Sequence, residues 1–312
     1  MTSSKILDLT NDEVYYGNEA NWQYMSVSQY KKFIECEARA IAELNEEWEP
    51  ISNPLALLVG NYVHSYFESK EAHLDFIHDN QESIYKKATK KQFTDYLDHF
   101  EVEYKKSSTV GDLETQVKEH AAHWNTEVPH GDIYSDFVIA EQMIKRIEKD
   151  EFFQFLWQGE KETVVTGELY GVEWKGKIDL LNVEKGYFVD LKTSRGFDNR
   201  YWDKDRNRYV SFVEAFGYVI QMGIYEKLLE MKYGKPFTGY IIAVSKETPS
   251  NIEAIQIEPA EKEFDLGLVQ QRIGRVEQVK TGQEIPKMCG KCEYCREHKQ
   301  LAGFKYPGQL IE

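Results

Sequence analysis

Four cysteines constrain this chain more than any other feature. Cys289, Cys292 and Cys295 stand in "CGKCEYC" near its end, and Cys36 lies near its beginning. A closed tetrahedral metal site and an iron–sulfur cubane each take four protein ligands. The C-x2-C-x2-C run supplies three, which makes Cys36 the candidate for the fourth, with His298 as its alternative in a zinc site. Three local thiolates and a remote one match bacterial-type four-iron four-sulfur (4Fe–4S) ligation, whereas zinc sites more often use two separated C-x2-C pairs. Either centre ties position 36 to position 289, and cross-linking so long a loop restricts the unfolded chain most.

The 312 residues are 41% hydrophobic and 13% aromatic, enough for one large domain or two modest ones. No apolar run is long enough to span a bilayer, and the N-terminus lacks the apolar core of a signal peptide. A cytoplasmic protein with no membrane partner is therefore expected, and there clustered cysteines read as ligands rather than disulfides. The net charge of −15 argues against a surface coated in positive charge for bulk nucleic-acid binding. It does not exclude an enzyme that holds metal ions on carboxylates and grips nucleic acid along a local basic track.

Residues 1–24 read as irregular. "SVSQYKKFIECEARAIAELNEEW" reads as a helix capped by Ser26 or Ser28, and a second helix is expected from Pro54 onward. Residues 26–70 thus form N-terminal helices, and 71–155 a polar helical insertion. The period then changes. "KETVVTGELYGVEWKGKIDLLNV" alternates, "GYFVDLKTS" follows after a turn at Glu184–Gly186, and together they predict a hairpin or meander. A helix, two strands and a last helix complete a core over 156–285, ahead of the cysteine segment 286–312. The order predicts an α/β domain built on a central mixed sheet, with a helical addition.

Within "GKIDLLNVEKGYFVDLKTS", Asp179 lies on one predicted strand and Asp190 and Lys192 on the next. Asp190 and Lys192 are two apart and share a face, and hairpin pairing brings Asp179 toward the same end. Two carboxylates beside an ammonium make a hard-oxygen metal site with a neighbouring cation. That set suits phosphodiester hydrolysis: a metal neutralises phosphate charge and acidifies water, and lysine orients the water or stabilises developing charge. The loop that follows, "SRGFDNRYWDKDRNRYVSF", carries Arg195, Arg200, Arg206 and Arg208 among Tyr201, Trp202 and Tyr209, a mix suited to gripping a nucleic-acid strand.

"GKID…VDLKTS" resembles the core of the PD-(D/E)XK nuclease superfamily. "QMGIY", Gln221 to Tyr225, resembles the Q-x-x-x-Y element of its RecB-like branch, and "GNYVH", ending at His64, resembles that branch's helical histidine. "SVSQYKKFIEC" and the C-terminal cysteines resemble the iron–sulfur segments of some members. These matches run in the expected order over about residues 26–295. The resemblance implies Mg²⁺ or Mn²⁺ on Asp179, Asp190, the Leu191 carbonyl and His64, with Lys192 as catalytic lysine. It implies that Gln221 and Tyr225 line the site and contact DNA or the lysine, and that Glu162 is a further acid. It implies a 4Fe–4S staple on Cys36, Cys289, Cys292 and Cys295, zinc being the alternative. RecE-type phage and prophage exonucleases are most similar, implying resection of linear DNA ends for a single-strand annealing protein or recombinase, in a chain that can oligomerise. A CRISPR-adaptation nuclease of the same branch and a non-catalytic, metal-stapled DNA-binding scaffold are the alternatives.

Overall fold

A computed structural model describes residues 7–50, 55–301, 303–304 and 306–310. Pro54, the expected helix start, lies outside them. The chain divides into two compact units: residues 1–53, 151–243 and 253–312 form the first, and 54–150 with 244–252 the second.

The first unit opens with α1 (Asp12–Tyr16) and α2 (Asn18–Gln23), where the sequence reads as irregular; each is barely more than a turn, too short for a periodic signal. Next come α3 (Val27–Glu35) and α4 (Glu37–Leu44). Ser26 caps α3 by accepting from the Gln29 amide at 3.2 Å, and Val27, Tyr30 and Phe33 are buried at helical spacing. The single helix expected here is broken at Cys36, whose backbone is extended at φ −164° and ψ 105°. Contacts from the far end of the chain impose the break: the Ala38 amide donates to the Lys287 carbonyl and the Lys287 amide to the Glu37 carboxylate.

The second unit is helical: α5 (Leu55–Glu68), α6 (Lys70–Asp79), α7 (Gln81–Ile84), α8 (Lys90–His99), α9 (Val110–Trp124) and α10 (Ser135–Glu148). Helix α5 packs on α6 and α10, and α8 on α9 through Phe93, Leu97, Leu113 and Val117. Capping boxes at Thr89 and Thr109 start α8 and α9.

The first unit resumes with α11 (Glu151–Leu156) and the strands β1 (Glu160–Leu169), β2 (Val172–Asn182) and β3 (Tyr187–Ser194). A small hairpin follows, β4 (Tyr201–Asp203) and β5 (Arg208–Val210), then α12 (Phe212–Ala215) and α13 (Tyr218–Tyr233). The chain ends with β6 (Thr238–Ser245), β7 (Ile252–Gln256), α14 (Pro259–Lys280) and α15 (Glu293–Glu297). The result is an α/β fold with a five-stranded mixed sheet flanked by helices, in the order β1-β2-β3-β6-β7. Strand β2 pairs antiparallel with both β1 and β3. Most of its residues are buried, because both of its faces are covered. Trp174 is fully buried and packs on Tyr30 of α3, and Met25 forms a parallel bridge beside it. Helix α13 lies against β1 and α14.

Candidate active site

The β2–β3 ladder runs Asn182↔Tyr187, Leu181↔Phe188 and Leu180↔Val189, and stops there. Asp179 and Asp190 flank that last rung. In place of a further ladder bond, the Leu191 amide donates to Asp179 Oδ2 at 2.7 Å. Lys192 lies two residues beyond Asp190 on the same face, and its Nζ sits 2.6 Å from Asp190 Oδ2. The three residues expected to meet are thus together at one end of the hairpin.

Helix α13 contributes Gln221 and Tyr225 one turn apart. Gln221 Nε2 donates to Asp190 Oδ1 at 2.7 Å, so it orients the acid rather than the lysine. Tyr225 is buried, 7% exposed, with its ring on the backbone of β2 at Gly176. A Cβ there would come within 2.9 Å of Tyr225 Cζ and closer still to Cε1, which accounts for the glycine of "GKID". Tyr225 thus packs beneath the acids with little of its side chain exposed.

Burial raises the Asp179 pKa, against the opposing pull of Lys192, the Leu191 amide and Lys177. Burial pulls Lys192 down, but Asp190, Asp179 and Tyr218 outweigh it and the net shift is upward. Lys192 is therefore a fixed cation at neutral pH.

Glu162 falls opposite Asp179 in the β1–β2 register, between Lys161↔Leu180 and Thr163↔Ile178. Its φ of +51° takes it out of the ladder. Glu162, Asp179 and Asp190 thus occupy one row across three strands. Lys177, two residues before Asp179, stands 3.3 Å from Glu162 and 2.7 Å from Asp12. The donor chemistry, two carboxylates at a buried strand end with a third in register, fits a divalent, oxygen-seeking ion. His64 belongs to the second unit, on α5, half-buried between Val63 and Ser65.

Sequence reasoning passed over Lys31, Lys177 and Tyr218. Lys31 reaches in from α3: its Nζ donates to the Phe216 carbonyl at 2.5 Å and lies 5.6 Å from the centre of the Tyr218 ring, which also carries Lys192 at 5.0 Å. Gly217, in the left-handed region at φ +69°, makes room, since a Cβ would stand 2.9 Å from Lys31 Cδ. Nothing local in "QYKKF" signals this, because the partners lie about 185 residues away. Lys177 had a local signal, its place two residues before Asp179 on one strand.

Of the expected strand-gripping residues, Arg195, Arg200 and Trp202 are exposed. Tyr201 packs edge-on to Phe216. Arg206 is a correction. Its side chain is 7% exposed and sits among Asp203, Glu214, Glu261 and Asp265, the last at 2.6 Å. A guanidinium enclosed by four carboxylates is a structural cation and is not offered to phosphate. Arg208 is half-exposed but shares Glu214 and Glu261 with it.

The four cysteines do converge. Their sulfurs all lie within 4.8 Å of one another, and among the described residues they are the one such set of three or more potential ligands. His298 is not in it; its Nδ1 is 2.9 Å from the Tyr294 carbonyl oxygen and its ring stacks on Tyr294.

A mixed sheet whose second and third strands deliver Asp, Asp and Lys to one end, under a helix that carries Gln and Tyr, defines a protein of the PD-(D/E)XK nuclease type. The chain belongs to the PDDEXK-like domain family of unknown function, DUF3799, which it matches over residues 26–298. It is similar to a "putative exonuclease" from Eubacterium rectale of known crystal structure, at 31% identity and a TM-score of 0.75 over 96% of this chain and 97% of that one. The crystal structure of SSO0001 aligns at 16% identity and a TM-score of 0.25, over 66% of this chain and 91% of that one. A search of curated proteins gives no match.

Proposed function

We propose that this chain is a divalent-metal-dependent DNA exonuclease that hydrolyses phosphodiester bonds from linear ends, leaving single strands for recombination. The observation that carries the reading is the meeting of Asp179, Asp190 and Lys192 at the end of the β2–β3 ladder, with Gln221 fixing Asp190. The description of the Eubacterium rectale relative as an exonuclease supports it. So does the exposure of Arg195, Arg200 and Trp202 just beyond β3, where they can hold a phosphate backbone and stack a base.

In this reading Asp179 and Asp190 would hold Mg²⁺ or Mn²⁺, with the Leu191 carbonyl as a further ligand; His64 is a ligand by the resemblance alone. When bound, such an ion neutralises charge on the scissile phosphate and acidifies a water. Lys192 stays protonated and meets the negative charge that develops on the phosphate. Gln221 keeps Asp190 in one rotamer, so that its second oxygen faces the lysine and the reacting centre. The resemblance extends to a 4Fe–4S staple on the four cysteines, with zinc as the alternative.

The test is digestion of end-labelled linear duplex, with a covalently closed circle as control, in Mg²⁺ or Mn²⁺. Shortening of the linear DNA from its ends, with the circle intact, is expected. Cleavage of the circle would make the chain an endonuclease. Binding without cleavage in either metal would reduce it to a DNA-binding scaffold.

A further inference from the structure

The cysteine centre has a geometry of its own. Cys36 Sγ lies 3.5 Å from Cys295 Sγ, Cys289 Sγ lies 3.8 Å from Cys295 Sγ, and no pair of the four exceeds 4.8 Å. Four thiolates around one tetrahedral ion, each at about 2.3 Å, stand about 3.8 Å apart along the edges. A cubane places each thiolate on a different iron, outside a core of four irons and four sulfides, and opens those edges to about 6 Å. The observed spacings match the first arrangement and are too short for the second.

The surrounding backbone is folded to the same scale. The amides of Lys291 and Cys292 turn onto Cys289 Sγ at 3.4 and 3.3 Å, and the Cys289 amide onto Cys36 Sγ at 3.5 Å. Gly290, at φ +77°, allows the tight loop in between. Such N–H groups disperse thiolate charge, which four sulfurs on one divalent ion require. Cys36 and Cys295 are buried. All four ligands come from the protein, as in a closed structural site.

We propose that Cys36, Cys289, Cys292 and Cys295 bind one zinc ion in a tetrahedral tetrathiolate site, and not the 4Fe–4S cluster that the family resemblance implies. The ion closes no redox couple and takes no part in hydrolysis. It fixes the segment 287–296 against the break between α3 and α4. There Cys292, Glu293 and Arg296 line a cleft of about 530 Å³ together with Lys31, Lys32, Glu35 and Arg39, so the ion holds part of the wall of a cleft of mixed charge. The inference stands apart from the nuclease reading, because its test reads metal and not turnover.

The experiment is elemental analysis of the full chain purified anaerobically from cells supplied with both iron and zinc, together with an assay for acid-labile sulfide and a visible spectrum. One zinc per chain, no sulfide and no colour are expected. Exchange into Co²⁺ should then give the strong visible bands of a tetrahedral tetrathiolate. About four irons and four sulfides per chain, in a brown protein, would overturn the proposal, as would a folded chain with no stoichiometric metal. The wild-type protein suffices, so a cysteine variant that fails to fold cannot obscure the result.

Discussion

Lys192 and Asp190 share an ion pair but not a task, and their variants should fail differently. Lys192→Met keeps much of the side-chain length and removes one preorganised charge, so the rate on linear duplex should drop about 10²–10³-fold with Mn²⁺ binding intact. Asp190→Asn should weaken Mn²⁺ binding and recover in part at high metal. Equal rates for Lys192→Met and wild type would remove this site from consideration. Asp179 adds a pH dependence. Burial raises its pKa, so it takes up a proton above the ordinary carboxylate range and competes with a cation there. Mn²⁺ affinity, followed by calorimetry, should therefore fall as pH drops toward that range. Lys177→Met, which removes a cation that lowers the Asp179 pKa, should start the fall at higher pH. The D-x-K pair was legible in sequence because strand alternation alone puts both side chains on one face. The burial of Arg206 was not: its carboxylates at Glu261 and Asp265 lie 55 and 59 residues away. Arg206→Met should destabilise the fold by about 3–5 kcal/mol, since enclosed acids lose their cation. Arg200→Ala should leave stability unchanged and reduce the salt dependence of DNA binding by about one unit of slope.

The close approach of α13 to β2 sets where Gln221 sits. Gly176 is the contact that permits it, and Gly176→Ala should push the Tyr225 ring and its helix away. A cost of about 1–3 kcal/mol is expected by urea denaturation, with a larger proportional loss of activity as Gln221 leaves Asp190. Tyr225→Leu in the same chain should recover most of the stability; if it does not, the ring is not what meets the new methyl. Among the elements, β1 to β3 could be read from their alternation and turns, and α13 and α14 from their length and the glycines that follow them. The break at Cys36 could not, because "FIECEARAIAEL" is helical by every local measure and the force that opens it comes from residues 287–295. The β4–β5 hairpin escaped for a different reason: its strands are three residues each, too short to show a period.

Two buried lysines connect the sheet and the last long helix to the N-terminal segments. Lys175 Nζ donates to the Tyr15 carbonyl and Asn21 Oδ1, and Lys280 Nζ to the Tyr24 carbonyl and Gln29 Oε1. Burial lowers both to about 8 from 10.5. Between those values the unfolded chain keeps protons that the folded one has released, so stability should rise with pH across the window. Urea midpoints at pH 8 and pH 10 should show this rise, and Lys175→Met should flatten it. At this scale the α/β class and the mixed sheet followed from the order of elements. The tie of α1 and α2 to β2 did not, because Lys175 and Lys177 find Tyr15, Asn21 and Asp12 more than 150 residues away.

The tie between the α3–α4 corner and the C-terminal cysteines also sets a timetable. Cys289 follows Cys36 by 253 residues, and at about 5–20 residues per second its synthesis comes roughly 10–50 s later. Residues 54–150 are made within that interval, while Val27, Tyr30 and Phe33 wait for the strand bearing Trp174 and the Cys36 thiol waits for its three partners. On the ribosome, the first helices to be made are therefore the last to gain their full set of contacts. Any factor that guards the nascent chain would find its client there.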